Sequence, residues 1–200
     1  RPPRSTLFPY TTLFRSDHLG EPEVGNDQIV VAAENTLTAL DLQSGTANWE
    51  FEAQSAITTR PTFFGQLVLV GTERGVLHAL RASDGTEMWR SQFSGVLSAA
   101  PAVSEDTIYV VDRAGGITAL SSNAQQVYWH FNAGAAINAT PLLVEGKLFV
   151  GASNGSFYTI DANDGRTLAR IQLGGSIETT PALGNGIIYV RADQIYALGS

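Results

Sequence analysis

The sequence contains no cysteine. That excludes a disulfide framework, a cysteine-based metal site and a thiol nucleophile, and it leaves the compartment open. No apolar run approaches the roughly 18 residues that a membrane-spanning helix needs. Basic residues are also scarce. Twelve Lys and Arg stand against 19 Asp and Glu, a formal net charge of −7, which argues against a nucleic-acid partner because such a partner requires a basic surface. What is present is apolar and punctuated. The 200 residues are 44% hydrophobic, with 20 Gly and 8 Pro. That is enough for a buried core, in a pattern that suits a β protein with frequent turns.

The rest is organised by a repeat. Ala39–Trp49, Ala-Leu-Asp-Leu-Gln-Ser-Gly-Thr-Ala-Asn-Trp, returns 40 residues later as Ala79–Trp89 and, more weakly, as Ala119–Trp129. A fourth copy, Thr159–Ala169, keeps Asp161 and Gly165 but has Ala169 in place of the Trp. Pro61, Pro101, Pro141 and Pro181 hold the same step, as do Val30, Val70, Val110, Val150 and Val190, and as do Ile57, Leu97, Ile137 and Ile177. Several independent columns in one register identify a repeat architecture.

Each unit reads as four short strands. In the second unit these are Pro61–Phe64, Leu67–Thr72, Val76–Arg81 and Glu87–Phe93. The joints Gly65-Gln66, Arg74-Gly75 and Asp84-Gly85 each supply a glycine where a hairpin needs positive φ. The units fall roughly at 22–60, 61–100, 101–140, 141–180 and 181–200. Pro22–Val24 is a worn copy of the first strand. The third unit has Gln125 where Gly45, Gly85 and Gly165 stand. Four antiparallel strands per forty residues describe a β-propeller blade. The expectation is an all-β, incomplete β-propeller of about 4.6 four-stranded units, the C-terminal part of a larger, eight-bladed ring. The Val column should be buried between blades, and the Trp should pack against the next blade. The gap left at Ala169 should be less well filled, the two end faces should be uncovered, and the compact last hairpin should be a true C-terminus.

Residues 1–16 do not belong to this pattern. Thr6–Ser16, Thr-Leu-Phe-Pro-Tyr-Thr-Thr-Leu-Phe-Arg-Ser, resembles one reading frame of a sequencing adapter. The segment is read as a non-native artefact and set aside. Without Arg1, Arg4 and Arg15, nine basic residues face 19 acidic ones, a net charge of −10. The native N-terminus, with any signal peptide or lipid-anchor cysteine, is then expected to be missing, and any membrane attachment would run through that lost anchor.

The motif Ala-x-Asp-x-x-Ser/Thr-Gly-x-x-x-Trp, preceded by Thr/Ala-Pro, a short apolar strand and Val-x-x-x-x-Gly, resembles the tryptophan-containing repeat of the pyrroloquinoline quinone (PQQ)-like β-propellers. Ala39, Asp41, Gly45 and Trp49 match it fully. Ala79, Gly85 and Trp89 match with Arg81 in place of Asp, and Ala119 and Trp129 match with Ser121 and Gln125 as replacements. The resemblance covers Pro22–Ser200 and is specific for fold. It implies one of two branches. Non-catalytic propellers, including the lipoprotein of the outer-membrane assembly machinery, bind other proteins in the periplasm or at the outer membrane and need no cofactor. Quinoprotein alcohol or sugar dehydrogenases hold PQQ and Ca²⁺. A sensory propeller fused to a signalling domain is a third possibility.

The residues favour the first branch. Asp41, Asp84, Asp161 and Asp164 sit in repeated turns, where an Asp bonds the turn's own backbone. Asp161-Ala-Asn163-Asp164-Gly165 has its Gly one residue early for a Ca²⁺ loop, and no Glu follows at the required distance. His18, His78 and His130 lie in different units, and His78 shares a strand column with Thr38, Thr118 and Tyr158. No catalytic, cofactor-binding or metal residue is assigned. Candidate partner contacts are the loop residues that break the repeat: Arg60, Glu73, Arg74, Asp112, Arg113 and Arg191. Addition of a partner's strand to a sheet edge is a further binding mode.

Overall fold

The computed structural model describes residues 20–199. The segment read as foreign, 1–16, and His18 lie outside the described residues. Among the described residues nineteen strands form five antiparallel meanders, one per repeat. Blade 1 comprises β1 (Glu23–Gly25), β2 (Gln28–Ala33), β3 (Thr36–Asp41) and β4 (Ala47–Glu52). Blade 2 comprises β5 (Thr62–Phe64), β6 (Leu67–Gly71), β7 (Val76–Arg81) and β8 (Glu87–Gln92). Blade 3 comprises β9 (Ala102–Val103), β10 (Thr107–Val111), β11 (Gly116–Ser121) and β12 (Val127–Asn132). Blade 4 comprises β13 (Leu142–Val144), β14 (Lys147–Gly151), β15 (Ser156–Asp161) and β16 (Thr167–Gln172). Blade 5 has three strands, β17 (Ala182–Gly184), β18 (Ile187–Arg191) and β19 (Ile195–Leu198).

The architecture is an incomplete β-propeller, and its apolar residues show why one blade cannot stand alone. Four separate clusters each bridge two neighbouring blades. Val30, Leu37 and Ala39 meet Val68, Val70 and Leu80. Leu69, Leu77 and Leu97 meet Ile108, Val110 and Leu120. Tyr109, Val111 and Ile117 meet Leu148, Val150 and Ile160. Phe157, Leu173 and Ile177 meet Ile188 and Val190. All five valines of the repeat column are at most 2% exposed. In blade 3, covered on both faces, β10 is buried at every residue. In blade 5, β18 alternates between covered and exposed positions, and Leu183, Tyr189 and Ile195 face outward. A sheet with one covered face alternates, and a sheet between two others does not.

The repeated tryptophan is the joint between blades. The Trp49 indole N–H donates to the Ala82 carbonyl at 2.8 Å, and Trp129 donates to Ala162 at 3.0 Å. The ring lies on a glycine of the receiving turn. A Cβ on Gly85 would stand 2.6 Å from Trp49, and one on Gly165 2.7 Å from Trp129. Both glycines also have positive φ, 71° and 74°, where a side chain is strained. Each receiving carbonyl takes a second donor from the same preceding blade, Gln28 on Ala82 at 2.7 Å and Tyr109 on Ala162 at 3.2 Å. Both lone pairs of a buried carbonyl are thereby satisfied. A β-bulge aims the ring. Ala39 pairs with Trp49 but Leu40 with Ala47, leaving Asn48 as the extra residue. The same bulge recurs at Met88, Tyr128 and Leu168. An extra residue raises local twist and turns the following side chain toward a new neighbour.

The third turn breaks the scheme. With Gln125 in place of glycine, positive φ moves to Ala124, at 53°. The inner turn bond runs from Ala124 N–H to Ser121 carbonyl at 2.8 Å, whereas Gly45, Gly85 and Gly165 bond back four residues, to Asp41, Arg81 and Asp161. Trp89, the residue in this position of blade 2, is only partly buried, at the margin of the cluster that Ala124 also borders. Where Ala169 replaces the tryptophan of blade 4, a hollow of about 510 Å³ opens, lined also by Phe149, Phe157 and Ile188.

Three substitutions separate these effects. Gly45, at φ 68°, has nothing within 4 Å of an added Cβ. Gly45→Ala should therefore cost only the backbone strain, about 1–2 kcal/mol. Gly85→Ala should cost about 1–3 kcal/mol more, because it also displaces Trp49. Ala124→Gly should stabilise by about 1 kcal/mol. Urea denaturation followed by tryptophan fluorescence would give the three values, and equal costs for the two glycines would contradict the role assigned to the tryptophan seat.

Candidate functional site

The strands alternate in direction, so each blade has two kinds of loop. One end carries the Gly45-, Gly85- and Gly165-containing turns, the last two of which seat Trp49 and Trp129. The other carries the turns between second and third strands and the linkers between blades. Each linker repeats one construction. An apolar residue is pinned by its backbone N–H to the blade it leaves: Leu97 to Thr72 at 3.2 Å, Ile137 to Asp112 at 3.4 Å and Ile177 to Ala152 at 3.3 Å. All three side chains are at most 1% exposed. The next residue faces the propeller axis, and the Pro three positions on opens the next first strand. The axial residues are Thr58, Ser98, Asn138 and Glu178.

These four line one basin of about 620 Å³, with Arg60 and Glu21 at its margin. Thr58 donates its hydroxyl to the Leu97 carbonyl of the next linker. The Asn138 amide N–H donates to Glu178 Oε2 at 2.7 Å, and the Ser176 hydroxyl donates to Oε1. Ser98 Oγ and Asn138 Oδ1 are buried with no hydrogen-bond partner in the protein. The Arg60 guanidinium is 3.6 Å from Glu23 and 3.9 Å from Glu21. Half exposed, these ion pairs contribute little stability.

The structure brings most of the expected contact residues to this same end. Arg60 stands at the basin. Glu73, Arg74 and Arg113 are exposed in the second-to-third-strand turns, and Arg191 is exposed at the end of β18. Arg74 shares a smaller hollow of about 380 Å³ with His78 and Arg90. Asp112 is a correction. It is 3% exposed, its carboxylate accepts the Gly116 N–H at 2.9 Å and the Ser94 hydroxyl at 3.3 Å, and it is spent on its own turn, out of a partner's reach.

The turn aspartates also bond their own backbone. Asp41 Oδ1 accepts the Ser44 N–H at 2.7 Å, Asp84 Oδ1 the Thr86 N–H at 3.0 Å, Asp161 Oδ1 the Asn163 N–H at 2.9 Å and Asp164 Oδ1 the Arg166 N–H at 2.9 Å. The Ser44 N–H and hydroxyl hold Asp41 below its ordinary value of 3.8. The Thr86 N–H and hydroxyl, then Arg81, do the same for Asp84. His78 Nδ1 lies 2.7 Å from Glu87 Oε1 and packs on Phe51, and His130 Nδ1 lies 3.0 Å from the Thr118 hydroxyl. Gly151-Ala152-Ser153-Asn154-Gly155 has the spacing of a nucleophile elbow, but that device needs a strand-to-helix turn, and here the segment joins the hairpin β14–β15. Among the described residues no group of three or more His, Cys, Asp or Glu is placed to hold a metal ion.

Sequence reasoning did not single out Thr58, Ser98, Asn138 or Glu178. The signal was available. Each follows directly on the fixed Ile/Leu column, at the same 40-residue step, and the column is polar throughout.

Blades joined by an indole seated on a glycine turn, around an axis lined by linker residues, define a β-propeller of PQQ-like repeats. The chain belongs to the family described as outer membrane protein assembly factor BamB, whose model matches residues 33–143 and 114–199. Among solved structures it is similar to BamB from Moraxella catarrhalis, at 20% identity over 89% of this chain and 58% of that one, with a TM-score of 0.76. It also resembles two computationally designed proteins. Ika8 is 15% identical over 92% of this chain and 58% of its own, with a TM-score of 0.83. Ika4 is 17% identical over 73% of this chain and 93% of its own, with a TM-score of 0.65. At these identities the likeness is one of fold. The chain spans 58% of the length of the first two structures. No curated protein matches it.

Two outcomes test this assignment of roles. Asp112→Ala should destabilise by about 1–3 kcal/mol, because it strands a buried N–H, whereas Arg113→Ala should stay within about 0.5 kcal/mol. A denaturant series in which Arg113 is the costlier of the two would reverse the reading. The lowered carboxylates at Asp41 and Asp84 stabilise the folded state fully above their ordinary pKa, and that contribution is lost as pH falls through the folded value. Melting temperature should therefore fall below about pH 4, and the fall should be shallower in the Asp41→Asn, Asp84→Asn double variant.

Proposed function

We propose that this chain is a non-catalytic, protein-binding scaffold module that acts outside the cytoplasm in outer-membrane protein assembly. The observation that carries the reading is the gathering of Arg60, Glu73, Arg74, Arg113 and Arg191 on the loop end opposite the tryptophan joints, in a chain of this family. Loops held by a rigid frame are where binding surfaces are built, and Arg is enriched among residues that dominate protein interfaces. The module works without a bound cofactor.

The mode of contact is through loops rather than by strand addition. The outer strands β4, β8, β12 and β16 each carry the bulge at the residue before the tryptophan position. A bulge twists an edge strand away from a regular ladder and blunts it as a template for a partner's strand. The partner surface should be rich in acidic as well as basic groups, because Glu73 lies among the arginines.

Photo-crosslinking in the cell envelope tests this. A crosslinking residue at position 74 or 113 should trap an outer-membrane assembly protein, and one at position 43 or 163, on the tryptophan-seating end, should not. Trapping from both ends alike, or from neither, would count against the loop-end interface.

A further inference from the structure

We propose that a basic hollow at the seam between blades 1 and 2 is a carboxylate site, which takes an acidic side chain presented by a protein partner. The inference deepens the protein-binding reading and rests on it. The hollow holds about 380 Å³, and Arg74, His78 and Arg90 line it beside Gln54 and Ser55 of the linker that leaves blade 1. A comparison of the blades shows what is unusual there. His78 on β7 stands directly opposite Arg90 on β8. The same two columns carry Thr118 and His130 in blade 3, and Tyr158 and Arg170 in blade 4. In those blades the pair satisfies itself. The Thr118 hydroxyl and His130 Nδ1 are 3.0 Å apart. The Arg170 guanidinium lies 5.5 Å over the Tyr158 ring and donates to Ser156 Oγ at 3.0 Å. In blade 2, Val76 stands in the column of Ser156, and His78 sets its Nδ1 2.7 Å from Glu87 Oε1. Among the described residues the Arg90 guanidinium is left without a hydrogen bond or an ion pair.

Arg74 is the second such cation, since among the described residues it too pairs with no carboxylate. Its backbone is held in place. Gln92 Nε2 donates to the Arg74 carbonyl at 2.8 Å and to the Phe93 carbonyl at 2.9 Å. Gln172 does the same for Asn154 in blade 4, at 2.7 Å, so the frame recurs while the arginine belongs to blade 2. His78 is the buried member of the set, 4% exposed, with its ring 5.3 Å from that of Phe51. The bond at Nδ1 leaves Nε2 as its nitrogen without a partner among the described residues. Each guanidinium offers five donors and no acceptor, in a planar fork that matches the two oxygens of a carboxylate. A cationic ligand would add like charge, and a neutral one would leave both arginines unbalanced. Inorganic phosphate shares the oxyanion chemistry, but the Glu87 carboxylate behind His78 repels a dianion more than a singly charged group. Arg74 lies at the loop end already assigned to partner binding, within reach of a side chain from that partner.

The test is a nuclear magnetic resonance titration of the ¹⁵N-labelled full chain, read at the arginine Nε–H signals. The probes are acetyl-Gly-Glu-Gly-amide, its Gln counterpart and inorganic phosphate, at fixed pH and ionic strength. The Glu peptide should shift the Arg74 and Arg90 signals saturably and leave Arg113 and Arg191 nearly unmoved. The Gln peptide should bind at least about tenfold more weakly, because the charge-assisted hydrogen bonds are lost. Arg90→Gln should weaken the Glu peptide by a similar factor, and Arg113→Gln should not change it. Both arginines are exposed, so these variants should keep the fold. Equal binding of the two peptides, shifts spread evenly over all the arginines, or no saturable shift would overturn the inference. Tighter binding of phosphate than of the Glu peptide would overturn the assignment to a protein carboxylate. If crosslinking from position 113 persists while the Glu peptide fails to bind, this inference falls alone. If that crosslinking is also absent, the protein-binding reading falls with it.

Discussion

An indole lying on a glycine, with its N–H on the carbonyl of the first residue after the receiving strand, is the contact on which the rest of this molecule depends. Each blade is a small meander with two apolar faces and no core of its own. Four interblade clusters replace the single core of a compact domain, so stability is a sum of nearest-neighbour contacts. The tryptophan sets the angle at which one sheet meets the next, and the glycine is required because any Cβ would collide with the ring. The bulge before the tryptophan is the backbone's part of the same device. All three coincide at the Trp49–Gly85 and Trp129–Gly165 joints, while the bulge recurs at every fourth strand, including before Ala169, where the tryptophan is missing.

This arrangement divides the propeller between its two ends. The tryptophan-seating turns use their polar groups on themselves, as Asp84 and Asp161 do through their backbone bonds. At the opposite end Asp112 and Asn154 do the same for their own turns. Its turns carry exposed charge, and its linkers point one side chain each toward the axis. Variation at Thr58, Ser98, Asn138 and Glu178 changes the lining of the basin without touching the apolar residue beside each, which holds the linker in place. A fold built this way can alter what it binds while keeping how it stands.

Much of the fold was legible because the period is strict. Strand positions, hairpin glycines and the buried valine column all follow from 40-residue columns, and the observed strands differ from the expected ones by a residue or so at their ends, as at Thr62–Phe64 and Leu67–Gly71. The joint itself was half visible. That Trp49 packs on the next blade was expected, but Gly85 was read as a turn residue alone, when it is equally the seat of a ring 36 positions earlier. One-dimensional spacing cannot show a contact between columns of different repeats. The same limit explains Asp112. A charged residue in a loop reads as exposed, and only the structure shows the Gly116 N–H and the Ser94 hydroxyl closing around it. The basin residues were overlooked because they differ from one another, and a search for motifs rewards sameness.

Hydrogen exchange resolved to single turns would test the central claim, that blade-to-blade seating of the indole governs local stability, most directly. The account predicts the slowest amides in β10 and β11, which neighbouring blades cover on both faces, and stronger protection in the turns at 82–85 and 162–165, which hold a tryptophan, than in the turn at 122–125, which does not. Equal protection of the three turns, or faster exchange at 82–85 than at 122–125, would contradict it.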